Sequence, residues 1–281
     1  MRGDRFFAMR TGVHRLPDGQ PARFEKYELG SLRVGSGKLA LSDPIFLQNT
    51  GVVTIPAGDY DVVATIAHVP ESYDYGLTRP AYLSLVLSGE PTDSIAPVKF
   101  DEDFSESGVH AVPAIAGIPD LRGISTSQMS SVSMVDAEAI GPGLPVNPGT
   151  WCDTVISPGD GTGWFERMDT ENDGPLGTLL TKLPNVKDGE NIAILIARPE
   201  RIFPVVQTLD GQGRITGVHI DLLVIGELSE KLQAFDGQDE VALSDFSLAE
   251  TRTDKTFGVQ DRETARASTG VFSRLRNFFR G

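Results

Sequence analysis

His219 and Asp221 are the residues whose types and spacing come nearest to acid–base chemistry. They stand two positions apart in the apolar run "VHIDLLVI", residues 218–225. On a β-strand such residues share a face, and an imidazole beside a carboxylate is a general acid–base pair. Because Asp221 is costly to bury without a partner, it either reaches a hydrogen-bond partner or faces outward, and the sequence favours a polar, solvent-facing position for the pair.

Further carboxylates extend this idea to a hydrolase-like enzyme. Asp136, followed closely by Glu138, lies in "VSMVDAEAI", and Asp153 and Glu166 follow in turn-rich sequence. A hydrolase requires Asp136, Asp153 or Glu166 to converge with His219 in one pocket. No G-x-S-x-G, Walker A or G-x-G-x-x-G motif occurs, so no catalytic residue is assigned.

The residue types that bind metals are scattered. The four histidines show no ligand spacing, and the acidic turn "MDTENDG" lacks the closing glutamate of a calcium loop, since Leu180 stands there. The single cysteine, Cys152, precedes Asp153, whose charge raises a thiol pKa, so we interpret Cys152 as structural. We therefore predict neither a metal site nor a cofactor.

The C-terminal segment "STGVFSRLRNFFRG", residues 268–281, mixes large apolar side chains with arginines. As a helix it would place its apolar residues on one side and its arginines at the border, as in helices that bind membrane surfaces. Its candidate binding residues are Val271, Phe272, Arg274, Leu275, Arg276, Phe278, Phe279 and Arg280. An anionic membrane surface, a partner protein and the protein's own body all remain open as its target.

Charge separates this segment from the rest of the chain. Residues 251–281 hold seven Lys/Arg and three Asp/Glu, a net charge of +4. Because the whole chain has a net charge of −14, residues 1–250 carry −18. Such an acidic body argues against nucleic acid as a partner. The sequence shows no apolar run of signal-peptide or membrane-spanning length, and with one cysteine we expect a cytoplasmic protein, peripheral at the inner membrane if the segment binds lipid.

The elements that must position these residues are strands. Alternating apolar residues between Gly and Pro turns predict a mainly β fold, an antiparallel sandwich or distorted barrel with few short helices. Residues 1–26 are predicted to be a leader, 27–228 the β domain, 229–268 a polar linker and 269–281 the amphipathic helix. A division into two subdomains near residues 90–130, where the strand signal weakens, is left open. Gly35-Ser36-Gly37 is predicted to be a hairpin turn.

Three stretches resemble the bacterial domain of unknown function 4241 (DUF4241) family. The first, "SGKLALSDPIFLQNTGVVTIPAGDYDV", has that family's Asp-Pro and Pro-x-Gly-x-Tyr pattern; the second is "VSMVDA", and the third is "IFPVVQTLDGQGRITGVHIDLLVI". Glu138 departs from the family pattern, which has Gly there, and so do Arg198–Arg201, where the family often has Gly-Asp-Gly. The resemblance covers roughly residues 27–228, carries no established activity, and implies a β fold with a closing hairpin.

These features favour a non-enzymatic binding or scaffold protein, recruited to a membrane surface or a partner protein through its C-terminal helix. A hydrolase that uses carboxylates and His219 is one alternative. An immunity-type or assembly component, whose acidic body covers a basic partner, is another. Self-association into a homo-oligomer is also left open, because it would strengthen weak binding by each segment.

Overall fold

The computed structural model describes residues 6–16, 19–68, 78–101, 108–112, 120–128, 130–145, 150–170, 174–185, 189–199 and 201–225. All of them belong to one compact unit that spans residues 1–238. The predicted linker (229–268) and the predicted amphipathic helix (269–281) lie outside the described residues.

The described residues are mainly β-strands, as the sequence predicts. The strands are β1 Gly12–Arg15, β2 Pro21–Val34, β3 Lys38–Ser42, β4 Gly51–Thr54, β5 Gly58–His68, β6 Thr78–Val86, β7 Ser94–Pro97, β8 Val109–Ala111, β9 Arg122–Ser125, β10 Ser131–Asp136, β11 Thr178–Lys182, β12 Asn191–Ile196, β13 Ile202–Leu209 and β14 Ile215–Asp221. Short helical segments accompany them, including α1 Ala137–Gly143, a π-helix Cys152–Ile156 and α2 Trp164–Met168.

These strands form two sheets in which the described pairs are antiparallel. The first sheet has nine strands in the order β1-β2-β5-β6-β14-β13-β9-β8, with β7 also paired to β13. The second sheet has five strands in the order β11-β12-β10-β3-β4. The mainly β, antiparallel fold class is therefore confirmed.

One hydrophobic core lies between the two sheets. A single row across the first sheet contributes Ala64, Leu83, Ile220 and Val205, which are register partners on neighbouring strands. A row across the second sheet contributes Leu41, Met134 and Ala193 to the same core. Because successive strand residues alternate between faces, the remaining residues of each strand must find cover on the outer faces.

The glycine turn at residues 35–37 joins two sheets, which corrects the predicted hairpin. β2 before the turn pairs with β1 and β5, whereas β3 after it pairs with β4 and β10. Gly37 has φ +75°, and a Cβ there would lie 2.9 Å from the carbonyl oxygen of Ile55. The glycine is therefore required by a close backbone approach at this corner.

The N-terminal residues differ from the predicted leader. Within residues 1–26, the described residues include β1, the start of β2 and a segment whose side chains Phe6 and Phe7 are buried. The weak-signal region around residues 90–130 also contributes strands, namely β7, β8 and β9. The first sheet therefore extends on both sides of the strands that alternation identified.

Candidate functional site

Asp136 holds the corner where the chain passes from the first sheet to the second. It is the last residue of β10 and the N-cap of α1, and its side chain accepts the backbone N–H of Glu138 at 2.9 Å. The same carboxylate accepts the N–H of Ser36 at 2.8 Å and its hydroxyl at 2.6 Å. These bonds satisfy both oxygens of a buried carboxylate and assign Asp136 a structural role.

A cleft of about 400 Å³ opens beside this corner. Its polar side chains include Arg33, Glu138, Asn185 and Glu190, and α1 supplies an apolar wall. Glu138 lies 3.1 Å from the ammonium group of Lys38 on its exposed side. Charges of both signs therefore surround the cleft, which suits a polar molecule better than an apolar one.

His219 lies in a different place, within a buried hydrogen-bond network of the first sheet. Its Nδ1 is 2.9 Å from the Ser84 hydroxyl on β6, and its Nε2 is 3.0 Å from the Thr208 hydroxyl on β13. Thr208 in turn accepts a hydrogen bond from Thr216 at 2.8 Å. Both hydroxyls that contact the ring can donate or accept, so a neutral imidazole is satisfied in either tautomer.

The face that carries His219 is buried, which corrects the solvent-facing position that the sequence favours. His219 is 3% exposed and Asp221 is fully buried. Phe6 covers this face, and its ring meets those of His219 and Tyr82 edge to face, each at 5.2 Å. Burial lowers the pKa of His219 to about 3, so the ring is neutral at ordinary pH.

Asp221 shares this face with His219, as the two-residue spacing predicts. It stands in register with Tyr82, and its carboxylate accepts the N–H of Leu223 at 2.9 Å. The pKa of Tyr82 is raised well above its usual value, first by burial and then by the charge of Asp221. Because the Phe6 ring covers the neutral imidazole, no space for a substrate remains beside it. His219 and Asp221 therefore contribute to packing and hydrogen bonding within the fold.

Glu166 organises the loop that precedes it. Its carboxylate accepts hydrogen bonds from the backbone N–H groups of Gly159, Gly161 and Gly163 at 2.5, 2.6 and 3.4 Å. The hydroxyl of Ser157 donates a fourth bond at 3.2 Å. All four donors come from the turn-rich sequence "SPGDGTG", so Glu166 acts on its own loop.

Cys152 begins the π-helix and is only partly exposed. Burial raises the pKa of its thiol, and the charges of Asp153 and Asp43 raise it further. The effect of Asp153 agrees with the sequence analysis. A thiol with a raised pKa is a poor nucleophile, because the thiolate is the reactive form.

The candidate acid–base residues therefore lie in different parts of the structure. Asp136 lines the cleft at the end of the second sheet, whereas His219 contacts Ser84, Thr208 and Phe6 on the outer side of the first sheet. Glu166 in turn is bonded to its own loop, so neither Asp136 nor Glu166 converges with His219 within the described residues. Among those residues, no three His, Cys, Asp or Glu side chains are grouped so as to hold a metal ion.

Sequence reasoning missed Ser36, Ser84 and Thr208, the hydroxyl partners of Asp136 and His219. Ser84 and Thr208 contact His219 only because β6 and β13 flank β14. Ser36 is 100 residues away from Asp136 in the chain. No local pattern signals such pairs, since they depend on strand order.

The candidate binding residues of the C-terminal segment, 271–280, lie outside the described residues. Within the described part of the chain, no helix is both long and apolar enough to cross a bilayer. The chain matches no protein-family model, no curated protein and no solved structure.

Proposed function

We propose that this protein is a non-enzymatic binding or scaffold module that is recruited through its C-terminal segment, residues 269–281, to an anionic membrane surface. The observation that carries the proposal is the charge division of the chain, −18 over residues 1–250 against +4 over residues 251–281. Large apolar residues are interleaved with Arg274, Arg276 and Arg280 in the basic part. Apolar and cationic side chains together are what an anionic lipid surface attracts.

The structural roles of the candidate acid–base residues support a binding protein over an enzyme. Asp136 caps α1 and ties the corner, His219 is neutral and covered by Phe6, and Glu166 holds its own loop. Each of these three side chains therefore makes contacts that stabilise the fold.

The expected affinity is modest. Three arginines contribute on the order of 3 kcal/mol near an anionic leaflet. Each large apolar side chain that enters the interface adds about 1.5–3 kcal/mol. Ordering a short helix costs part of this gain, so binding is reversible and is strengthened when several copies bind together.

Membership of the DUF4241 family is a separate proposal. Its support is the structural use of the matching residues: Tyr60 donates to the carbonyl oxygen of Pro56 at 2.6 Å, and Asp43 accepts the N–H of Ile45 at 2.9 Å. Asp136, in the second matching stretch, caps α1. Residues that stabilise turns would be common to this chain and the family because the fold requires them. The resemblance therefore implies no activity.

Liposome co-sedimentation tests the membrane proposal. The full chain, a 1–268 truncation and the full-length variant Arg274→Glu/Arg276→Glu/Arg280→Glu are compared on neutral vesicles and on vesicles with anionic lipid. We expect only the unmodified full chain to sediment with anionic vesicles, and less of it at high salt. Equal sedimentation of all three proteins would refute the membrane proposal.

A pull-down with the tail peptide, and with a peptide carrying the three Arg→Glu changes, examines a protein target instead. If the unmodified peptide captures a protein specifically and the full chain does not bind vesicles, the target of the C-terminal segment is a partner protein and not the membrane. Specific capture of a basic protein by the 1–268 body would favour an assembly or immunity role.

A further inference from the structure

The cleft of about 400 Å³ beside α1 has walls that long-range hydrogen bonds hold in place. Asn191 accepts the backbone N–H of Arg33 at 3.0 Å and donates to the carbonyl oxygen of Ser31 at 2.7 Å, which ties β2 to β12. Asn185 donates its side-chain amide to the carbonyl oxygen of Leu144 at 2.7 Å, where α1 ends. The cleft is therefore formed by the fold itself, as most small-molecule sites are.

Arg33 lines the cleft with a guanidinium group whose donors are not engaged in hydrogen bonds. Its one ionic contact among the described residues is with Asp59, and the 3.9 Å between Nη1 and the carboxylate oxygen is too long for a hydrogen bond. The Arg33 side chain is 47% exposed. Because a guanidinium group binds a carboxylate through two parallel hydrogen bonds, Arg33 can bind the carboxylate of a ligand in the cleft.

The other polar side chains of the cleft supply acceptors and negative charge. Glu138 and Glu190 contribute carboxylates, and the Asn185 amide, whose nitrogen already donates to Leu144, has its oxygen left as an acceptor. Two cationic and three acidic side chains belong to the cleft or to its ion pair: Arg33, Lys38, Asp136, Glu138 and Glu190. This set has a net charge of −1, which favours a ligand with a net positive charge.

Gly35 lies between the cationic and the anionic side of the cleft. A Cβ at this position would lie 3.8 Å from Arg33 Nε and 3.8 Å from Asp136 Oδ2, at ordinary contact distance from both. The φ angle of Gly35 is not in the left-handed region, so the backbone here accepts other residues without strain. The missing side chain therefore leaves space between two opposite charges.

We propose that this cleft binds a free basic amino acid, with the ligand carboxylate on Arg33 and its ammonium groups near Glu138 and Glu190. An α-amino acid carries a carboxylate and an ammonium group on one carbon atom, which matches opposite charges on either side of Gly35. A basic side chain adds the positive charge that offsets the net −1 of the cleft. The proposal goes beyond recruitment through the C-terminal segment and does not depend on it.

Isothermal titration calorimetry of the full-length protein with L-lysine tests the proposal, with L-lysinamide as the comparison. Lysinamide carries more positive charge and no carboxylate, so a general attraction to the acidic body would favour it. We expect lysine to bind at one site and about tenfold more tightly than lysinamide, because only lysine can accept hydrogen bonds from Arg33 through a carboxylate.

Two outcomes of this titration would overturn the proposal. One is the absence of saturable binding up to about 10 mM lysine, a concentration that nearly fills a site with a dissociation constant of about 1 mM. The other is binding of lysinamide as tightly as lysine, which would show attraction by charge alone. Neither comparison requires a variant, so both can be made on the unmodified chain.

Two exposed positions locate the binding. Arg33→Gln should weaken lysine binding about tenfold and should not weaken lysinamide binding, because only the carboxylate contact is lost. Gly35→Ala changes no charge, and its methyl group should weaken lysine binding about tenfold by filling the cleft. Arg15→Gln and Gly211→Ala are the matched controls, since they change exposed residues outside the cleft and should bind lysine like the unmodified chain. An unchanged lysine affinity in Arg33→Gln or in Gly35→Ala would overturn the proposal.

Discussion

The rings of Phe6 and His219 meet edge to face, with centroids 5.2 Å apart and planes inclined at 75°. Phe6 belongs to the N-terminal segment, which is fastened to the first sheet where Met9 N–H donates to the Thr65 hydroxyl at 3.0 Å. The segment thereby seals the outer face of β5, β6 and β14 from water. This contact explains why a histidine in the sheet stays neutral.

Acid should destabilise the protein through His219. Its pKa is about 3 in the folded protein, against an ordinary value of 6.5. Below about pH 6.5 the unfolded chain binds a proton that the folded chain does not, so the stability present above that pH is lost as the pH falls toward about 3. The expected loss from this residue is about 2 kcal/mol between pH 7 and pH 5, measured by urea unfolding.

His219→Gln provides the comparison for this pH dependence. Glutamine keeps one donor group and one acceptor for Ser84 and Thr208 and does not titrate. Ionisation of the carboxylates is common to both proteins, so the difference between their pH profiles isolates the histidine. Profiles that run parallel between pH 7 and pH 5 would contradict the assignment.

Phe6→Ala should weaken the fold and expose His219. Removal of a buried phenylalanine costs about 3–5 kcal/mol in unfolding free energy, which denaturant titration measures. Entry of water should raise the pKa of His219 from about 3 toward 6.5, which NMR titration of the ring follows. Phe46→Ala is the matched control, because Phe46 is 44% exposed and its loss should cost less than about 1 kcal/mol. An unchanged His219 pKa in Phe6→Ala would contradict the conclusion that Phe6 shields His219 from water.

Asp136→Ala should cost about 2–4 kcal/mol, because it removes a helix cap and leaves the donors of Ser36 without their acceptor. A double-mutant cycle with Ser36→Ala should show coupling between the two residues. Glu138→Ala, which removes only an exposed ion pair with Lys38, should cost less than about 1 kcal/mol. Equal losses for Asp136→Ala and Glu138→Ala would contradict the structural role of Asp136.

Cys152 should react slowly with iodoacetamide at neutral pH. Its pKa is raised by burial and by the charges of Asp153 and Asp43, and each unit of increase lowers the thiolate fraction about tenfold. Asp153→Asn should therefore speed alkylation, whereas Asp160→Asn, at an exposed loop position, should not. The unfolded protein gives the reference rate. Alkylation of the folded protein as fast as of the unfolded one would refute a raised pKa.

Alternation between turn residues was sufficient to predict the mainly β fold, and the closing hairpin that the third matching stretch implies is present in the structure. The run before Asp210-Gly211-Gln212-Gly213 became β13 and the run after it became β14, joined through bonds to the Asp210 carboxylate. The short strands β7, β8 and β9 have too few residues for a period to show. These three strands form because neighbouring strands have backbone N–H and C=O groups available for pairing. The sequences of the short segments do not contain that information.

The sequence by itself determined that His219 and Asp221 share a face, because side chains alternate along any strand. It also determined the charge division that sets the C-terminal segment apart from the acidic body. Only the tertiary structure decided that the shared face is buried, because its cover comes from Phe6, more than 200 residues earlier in the chain. Strand order likewise decided that Asp136 ties a corner far from His219, since periodicity specifies faces within a strand and not the neighbours of that strand.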